Sequence, residues 1–166
     1  MQLADEARYV EAFRLLDAEQ SFVPEIRNAR GVCLMRTHRY RDALELFKSL
    51  VIPHNCTWLK QDLPLIYRTN LITAFMLAKL PQGANAALME TREVDHPSVV
   101  RLRRALDEWV KRLPWSKWLQ WKYGLDLEEQ VTLDFDPGDF VDPLTSPRKP
   151  KPVENGKPRW PIQPAA

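Results

Sequence analysis

The sequence predicts an all-α protein: an array of antiparallel helix pairs, then a short extended segment and a disordered, proline-rich C-terminal tail. Three observations carry that expectation. Apolar residues recur at helical spacing in successive blocks from about residue 4 to residue 124. One pair of these blocks returns downstream at a constant shift. The pattern then changes twice: Val131, Leu133 and Phe135 alternate with polar residues, and the last 24 residues, from Pro143, hold seven prolines.

The first helix, about Ala4 to Ala18, carries Tyr9, Ala12, Phe13 and Leu16 at i, i+3, i+4 and i+7, a single apolar face. Pro24 fits the first turn of the next helix, where its missing N–H costs nothing. From Ile26 to Leu50 the chain reads as two short helices facing each other across a turn. Gly31 falls opposite Ala43, so two backbones can approach closely, with Leu34 on one side and Leu44, Phe47 and Leu50 on the other. Tyr40 enters the second helix where a ring can plug the gap below the turn.

This unit recurs. Ala43 maps to Ala84 and Phe47 to Leu88, each 41 positions on, while Gly31 maps to Ile72, Leu34 to Phe75 and Tyr40 to Pro81. With Ile72 in place of a small residue, the second pair is expected to pack less closely than the first. Upstream, Tyr9 and Ala12 repeat Tyr40 and Ala43 at a shift of 31, so the series begins with a lone helix of the second type.

The set Gly31, Tyr40, Ala43 and Phe47 resembles a tetratricopeptide (TPR) repeat, a helix–turn–helix unit of about 34 residues. Arg27 stands where many such repeats carry a tryptophan. The resemblance covers roughly residues 4–124, with one good repeat (26–50), one degenerate repeat (66–90) and weaker flanking helices. The spacings of 31 and 41 bracket the usual period, and the longer one leaves a connector around Pro53 to Leu63. The resemblance implies a curved stack whose inner surface is lined by the first helix of each pair and binds an extended peptide or a helix. Groove positions carried over from the family are Asn28, Val32, Met35 and Arg36 in the first unit, and Thr69, Asn70, Thr73 and Met76 in the second. Asn70 matches the asparagine that holds a peptide backbone in many family members, whereas Ala29 takes that place in the first unit. Only Arg36 remains of the basic clamp of chaperone-binding members, so a C-terminal carboxylate is not the implied ligand. Met35 and Met76 point to an adaptable apolar contact. These groove residues are expected to face solvent in the free protein, with Phe75 turned to the packing side.

A further helix starts near Pro97 with Val99, Leu102, Leu106, Trp109, Val110 and Leu113 on one side, and Pro114 stops it. Trp115 to Gly124 forms a short aromatic helix with a glycine C-cap, completing a third, degenerate pair without the small-residue landmarks. Its rings admit several readings. Most belong to the core and cover the end of the stack, Trp118 and Leu119 falling on the side of Trp115 and Trp121 projecting to another side. Alternatively Trp115, Trp118 and Trp121 meet a partner, stack on bases beside Arg101, Arg103, Arg104 and Arg112, or lie on a membrane surface with Lys117 and Lys122.

The chain thus divides into helical repeats (1–124), an acidic extended segment (125–142) and a basic tail (143–166). The tail carries five basic residues against Glu154, a net +4, so residues 1–142 carry −2 of the total +2. Such a tail cannot bury enough apolar surface to offset chain entropy.

Catalytic signals are lacking. His54-Asn-Cys56 offers two ligands where zinc needs four, and Cys33 and His38 lie five apart, off one helix face. In Asp134-Phe-Asp136-Pro-Gly138-Asp139 the glycine is fifth where a calcium loop needs it sixth, and Thr145 stands at the twelfth position, so a solvated acidic turn is expected. Five glycines leave little material for a phosphate loop, and two cysteines do not make a disulfide framework. The longest apolar run, Leu71 to Ala78, is too short to span a bilayer, and the N-terminus has no signal-peptide pattern. The sequence therefore points to a cytoplasmic, non-catalytic interaction or scaffold protein with an unknown protein or peptide partner, needing no cofactor or metal. The alternative is a nucleic-acid-associated protein using the basic tail and the Arg/Trp-rich region 101–122.

Overall fold

A computed structural model describes residues 2–18, 22–125 and 127–145, the side chains of residues 2–7 and 18 excepted. Among the described residues seven helices follow one another: α1 Gln2–Ala18, α2 Pro24–Arg36, α3 Tyr40–Val51, α4 Leu65–Leu77, α5 Pro81–Glu90, α6 Pro97–Lys111 and α7 Trp115–Lys122. No strand occurs among the described residues. The proposed disordered tail lies, from residue 146 on, outside the described residues.

Local chemistry sets the helix boundaries. Proline opens α2, α5 and α6, where a backbone donor is unpaired in any case. Three helices end on a left-handed residue: His38 (φ 60°) after α2, Lys79 (φ 65°) after α4 and Gly124 (φ 70°) after α7. In each, the next amide returns to the helix: Arg39 N–H to Leu34 O (2.9 Å), Leu80 N–H to Phe75 O (3.0 Å) and Leu125 N–H to Gln120 O (3.0 Å). Glycine takes this conformation freely, whereas His38 and Lys79 adopt it at a cost of about 1–2 kcal/mol, offset by the carbonyls they cap.

The 41-residue shift extends to the backbone. Pro24 and Leu65 start α2 and α4, Arg36 and Leu77 end them, and Tyr40 and Pro81 start α3 and α5, each pair 41 apart (65−24, 77−36, 81−40). The left-handed residues His38 and Lys79 differ by the same number (79−38).

Consecutive helices pack from α1 to α6, α3 and α4 doing so across a longer looped connector, and α4 also packs against both α2 and α6. α4 is the hub. All its residues but Phe75 are buried, which explains a sequence that is apolar on nearly every side. Arg68 is 2% exposed, and its guanidinium makes a two-point ion pair with Glu93 (2.6 and 2.9 Å) and donates to Gln61 (2.8 Å). That cluster ties the α3–α4 connector and the α5–α6 loop to the hub.

The close approach in the α2–α3 pair is between Gly31 and the Phe47 ring: a Cβ on Gly31 would sit 2.4 Å from Phe47 Cζ. Ala43 is fully buried, but the space left by Gly31 is filled by the ring. In the second pair the roles are exchanged: a Cβ on Gly83 of α5 would lie 2.8 Å from the Phe75 ring of α4.

The aromatic helix α7 buries none of its residues. Trp121 packs edge-on against Trp109 (centroids 5.4 Å apart), whereas Trp115 is 75% exposed and Trp118 lies beside solvent with the Lys122 ammonium over its ring. The core reading of this cluster therefore fails for Trp115 and Trp118, and Trp121, expected on another side, is the ring that packs partly buried against the core. A two-turn helix at the edge has only one side in contact. Among the described residues, no helix is long and apolar enough to cross a membrane.

Candidate functional site

The shared face of α2, α4 and α6 brings together the residues singled out by the repeat resemblance, and the chain itself covers them. Asn28, Val32, Met35, Thr69, Asn70, Thr73 and Met76 are all buried, and Arg36 is partly so. The expectation that they face solvent does not hold, because residues 127–142 run across this face. The contrast with Phe75 also reverses. Met76 is fully buried, while Phe75 is part-exposed beneath the Lys48 ammonium.

The segment docks in two chemically different parts. In the first, Leu127 and Val131 enter the core, Leu133 and Phe135 pack at its margin, and Val131 N–H donates to Met76 O (3.1 Å). The alternation of apolar and polar residues in this stretch is what an extended chain with one buried side requires.

The second part is held through its backbone. Asn70 Nδ2 donates to Asp139 O (2.8 Å) while Asn70 Oδ1 accepts from Asp139 N–H (2.9 Å), so one carboxamide engages both polar groups of one residue. Asn70 Nδ2 also donates to Asn28 Oδ1 (2.7 Å), fixing a second carboxamide whose own nitrogen reaches Asp139 O and Phe140 O at 3.4 Å. Arg36 donates to Pro137 O (2.8 Å) and Gly138 O (3.1 Å) and pairs with Asp136 (2.8 Å). Thr69 and Thr73 turn their hydroxyls back to carbonyls of α4 and do not reach the segment through them.

Side chains of the segment are met individually too. Gly138 takes φ 78°, and a Cβ there would lie 2.4 Å from Met35 Cε and 3.1 Å from a Val32 methyl. Met35 and Val32 thus form the floor under the glycine. Asp139 pairs with Arg101 (2.7 Å) and accepts from Ser98 Oγ (3.3 Å), and the Arg101 guanidinium also lies over the Phe135 ring (4.1 Å). Phe140 stacks on Tyr9 (6.2 Å). His96 caps α6 by accepting Ser98 N–H at Nδ1, which leaves Nε2 to donate to Asp142 (3.2 Å). The solvated turn expected here therefore holds for Asp134 and Asp136, which stay exposed although Asp136 pairs with Arg36, and fails for Asp139 and Asp142, which are partly buried against Arg101 and His96.

Sequence reasoning missed Tyr9, His96, Ser98 and Arg101 at this face. Periodicity placed Tyr9 in a packing face and gave no signal for the other three. Of the arginines weighed as phosphate contacts, Arg101 is committed to Asp139, Arg103 donates to Leu88 O (2.9 Å), and Arg104 and Arg112 both flank Glu108. Cys33 is buried in α2, and burial raises its thiol above the usual range, with Arg36 opposing. Among the described residues, no group of three His, Cys, Asp or Glu side chains is placed to hold a metal ion.

Fold and site together define a class: paired helices whose common face clasps an extended stretch of the same chain. Comparison with family models, curated proteins and solved structures finds no match for this chain.

Proposed function

We propose that this chain is a non-catalytic interaction protein, a short TPR-like array that binds an extended peptide along the α2–α4–α6 face. The two-point grip of Asn70 on the backbone of Asp139 carries this reading. A carboxamide that meets both the N–H and the C=O of one residue recognises an extended backbone whatever its side chains. That is the role the repeat resemblance implies for Asn70, and here 127–142 plays the peptide. A surface that satisfies a backbone in this way has the chemistry that a peptide groove needs. Arg36 adds two further backbone contacts of the same kind.

The test is selection from a random peptide display library on the full chain carrying Gly138→Ala, which weakens the resident segment. Peptides are expected to be enriched, and their capture is expected to fail when Asn70→Ala is added. A library that yields no Asn70-dependent binder would overturn the proposal.

A further inference from the structure

Resting on that reading, we infer that residues 134–142 are an exchangeable built-in ligand, and that the face they occupy takes from a partner an acidic extended peptide with glycine followed by aspartate and an aromatic residue on either side. The boundary between the two docked parts carries the first half of the inference. Leu127 and Val131 belong to the core and cannot leave without exposing it. Beyond Leu133 the contacts are mostly polar, and away from Phe135 and the buried Gly138 they lie near solvent: the Asp136 side chain is 81% exposed, and Phe140 and Val141 are exposed. Water can replace such contacts when the segment lifts, so the outer part opens at far lower cost than the inner one.

The ligand class follows from what the surface reads. Arg36, Arg101 and His96 meet Asp136, Asp139 and Asp142 in order along the segment. The Val32–Met35 floor leaves no room for a side chain at Gly138, and its positive φ excludes most other residues. Arg101 and Tyr9 supply cationic and aromatic faces for the rings before and after. A partner peptide with these features reproduces every contact. The tethered copy competes at an effective concentration on the order of millimolar, so a free peptide binds the intact protein weakly until the tether is disfavoured.

The experiment uses a fluorescein-labelled synthetic peptide with the sequence of residues 133–143, titrated into the full chain and followed by anisotropy. The proteins are wild type, Asp139→Ala and Phe140→Ser, each first shown folded by circular dichroism. Phe140 is exposed, so that variant loosens the segment even if Asp139→Ala does not fold. The expected result is at least about tenfold tighter binding to the folded variants than to wild type. Loss of binding is expected when the peptide's aspartates become lysine or its glycine becomes alanine. Equal affinity for wild type and variants would overturn the exchange. Equal binding of the lysine peptide, or Asn70-dependent library peptides with no capture of the acidic probe, would overturn the ligand class and leave peptide binding standing. Capture of neither probe nor library peptides would overturn both.

Discussion

Replacing Asn70 with alanine removes three hydrogen bonds from a buried position: those to Asn28 Oδ1, to Asp139 O and from Asp139 N–H. Two of these hold the outer segment, so at about 1 kcal/mol net for each bond its docking loses about 2 kcal/mol. The loss has a ceiling. Once the segment lifts, water satisfies the Asp139 backbone, so no more can be lost globally than the segment's own docking free energy. Hydrogen exchange at single amides resolves this better than a melting curve. Exchange of Asp139 N–H should accelerate about 30-fold in Asn70→Ala, since about 1.4 kcal/mol corresponds to a factor of ten. Val131 N–H, which donates to Met76 O in the inner part, should keep its protection. Unchanged exchange at Asp139 would refute the grip of Asn70 on the backbone. Equal acceleration at Val131 would refute the division of the segment into an anchored and an exchangeable part.

Three further outcomes are expected. Gly31→Ala places a methyl 2.4 Å from the Phe47 ring and should cost about 1–3 kcal/mol in urea unfolding, with the helix content of the folded state unchanged. Glu93→Gln leaves the buried Arg68 without its counter-charge and should cost about 1–2 kcal/mol at neutral pH, the low end of charged hydrogen bonds because Glu93 is partly exposed. The Arg68 hydrogen bond holds the Glu93 carboxyl below its ordinary 4.5, so its contribution is present above that value and is lost as pH falls through the lower folded value. Wild type should therefore lose stability more steeply than Glu93→Gln on acidification below about pH 5, and parallel pH profiles would remove the pair from the account. Finally, limiting N-ethylmaleimide at pH 7.5 should label Cys56, which is partly exposed, well before Cys33, whose thiol is buried and raised by burial. Peptide mass mapping reads the order, and early labelling of Cys33 would show that α2 opens readily.

The 41-residue shift was legible because helix boundaries are local: the starts after Pro24 and Pro81 and the face of Phe47 each follow from a few neighbouring residues. The residues of the α2–α4 face were legible through the repeat resemblance, since position within a unit is preserved along the chain. Their exposure was not. Met76 and Phe75 are adjacent and similarly apolar, and which of them meets solvent depends on what else crosses the face.

By itself, the sequence determined the local structure: an all-helical body, the repeat spacing, the alternation at Val131, Leu133 and Phe135, and an acidic run ending in Gly138-Asp139. Only the tertiary structure decided that this run returns to the α2–α4–α6 face of its own chain. Contacts such as Asn28 to Phe140 and Asn70 to Asp139 join residues 112 and 69 positions apart. No local propensity encodes such pairings. They form where the paired helices present two carboxamides on one face, and the tethered extended backbone that buries them also supplies the hydrogen bonds that burial requires.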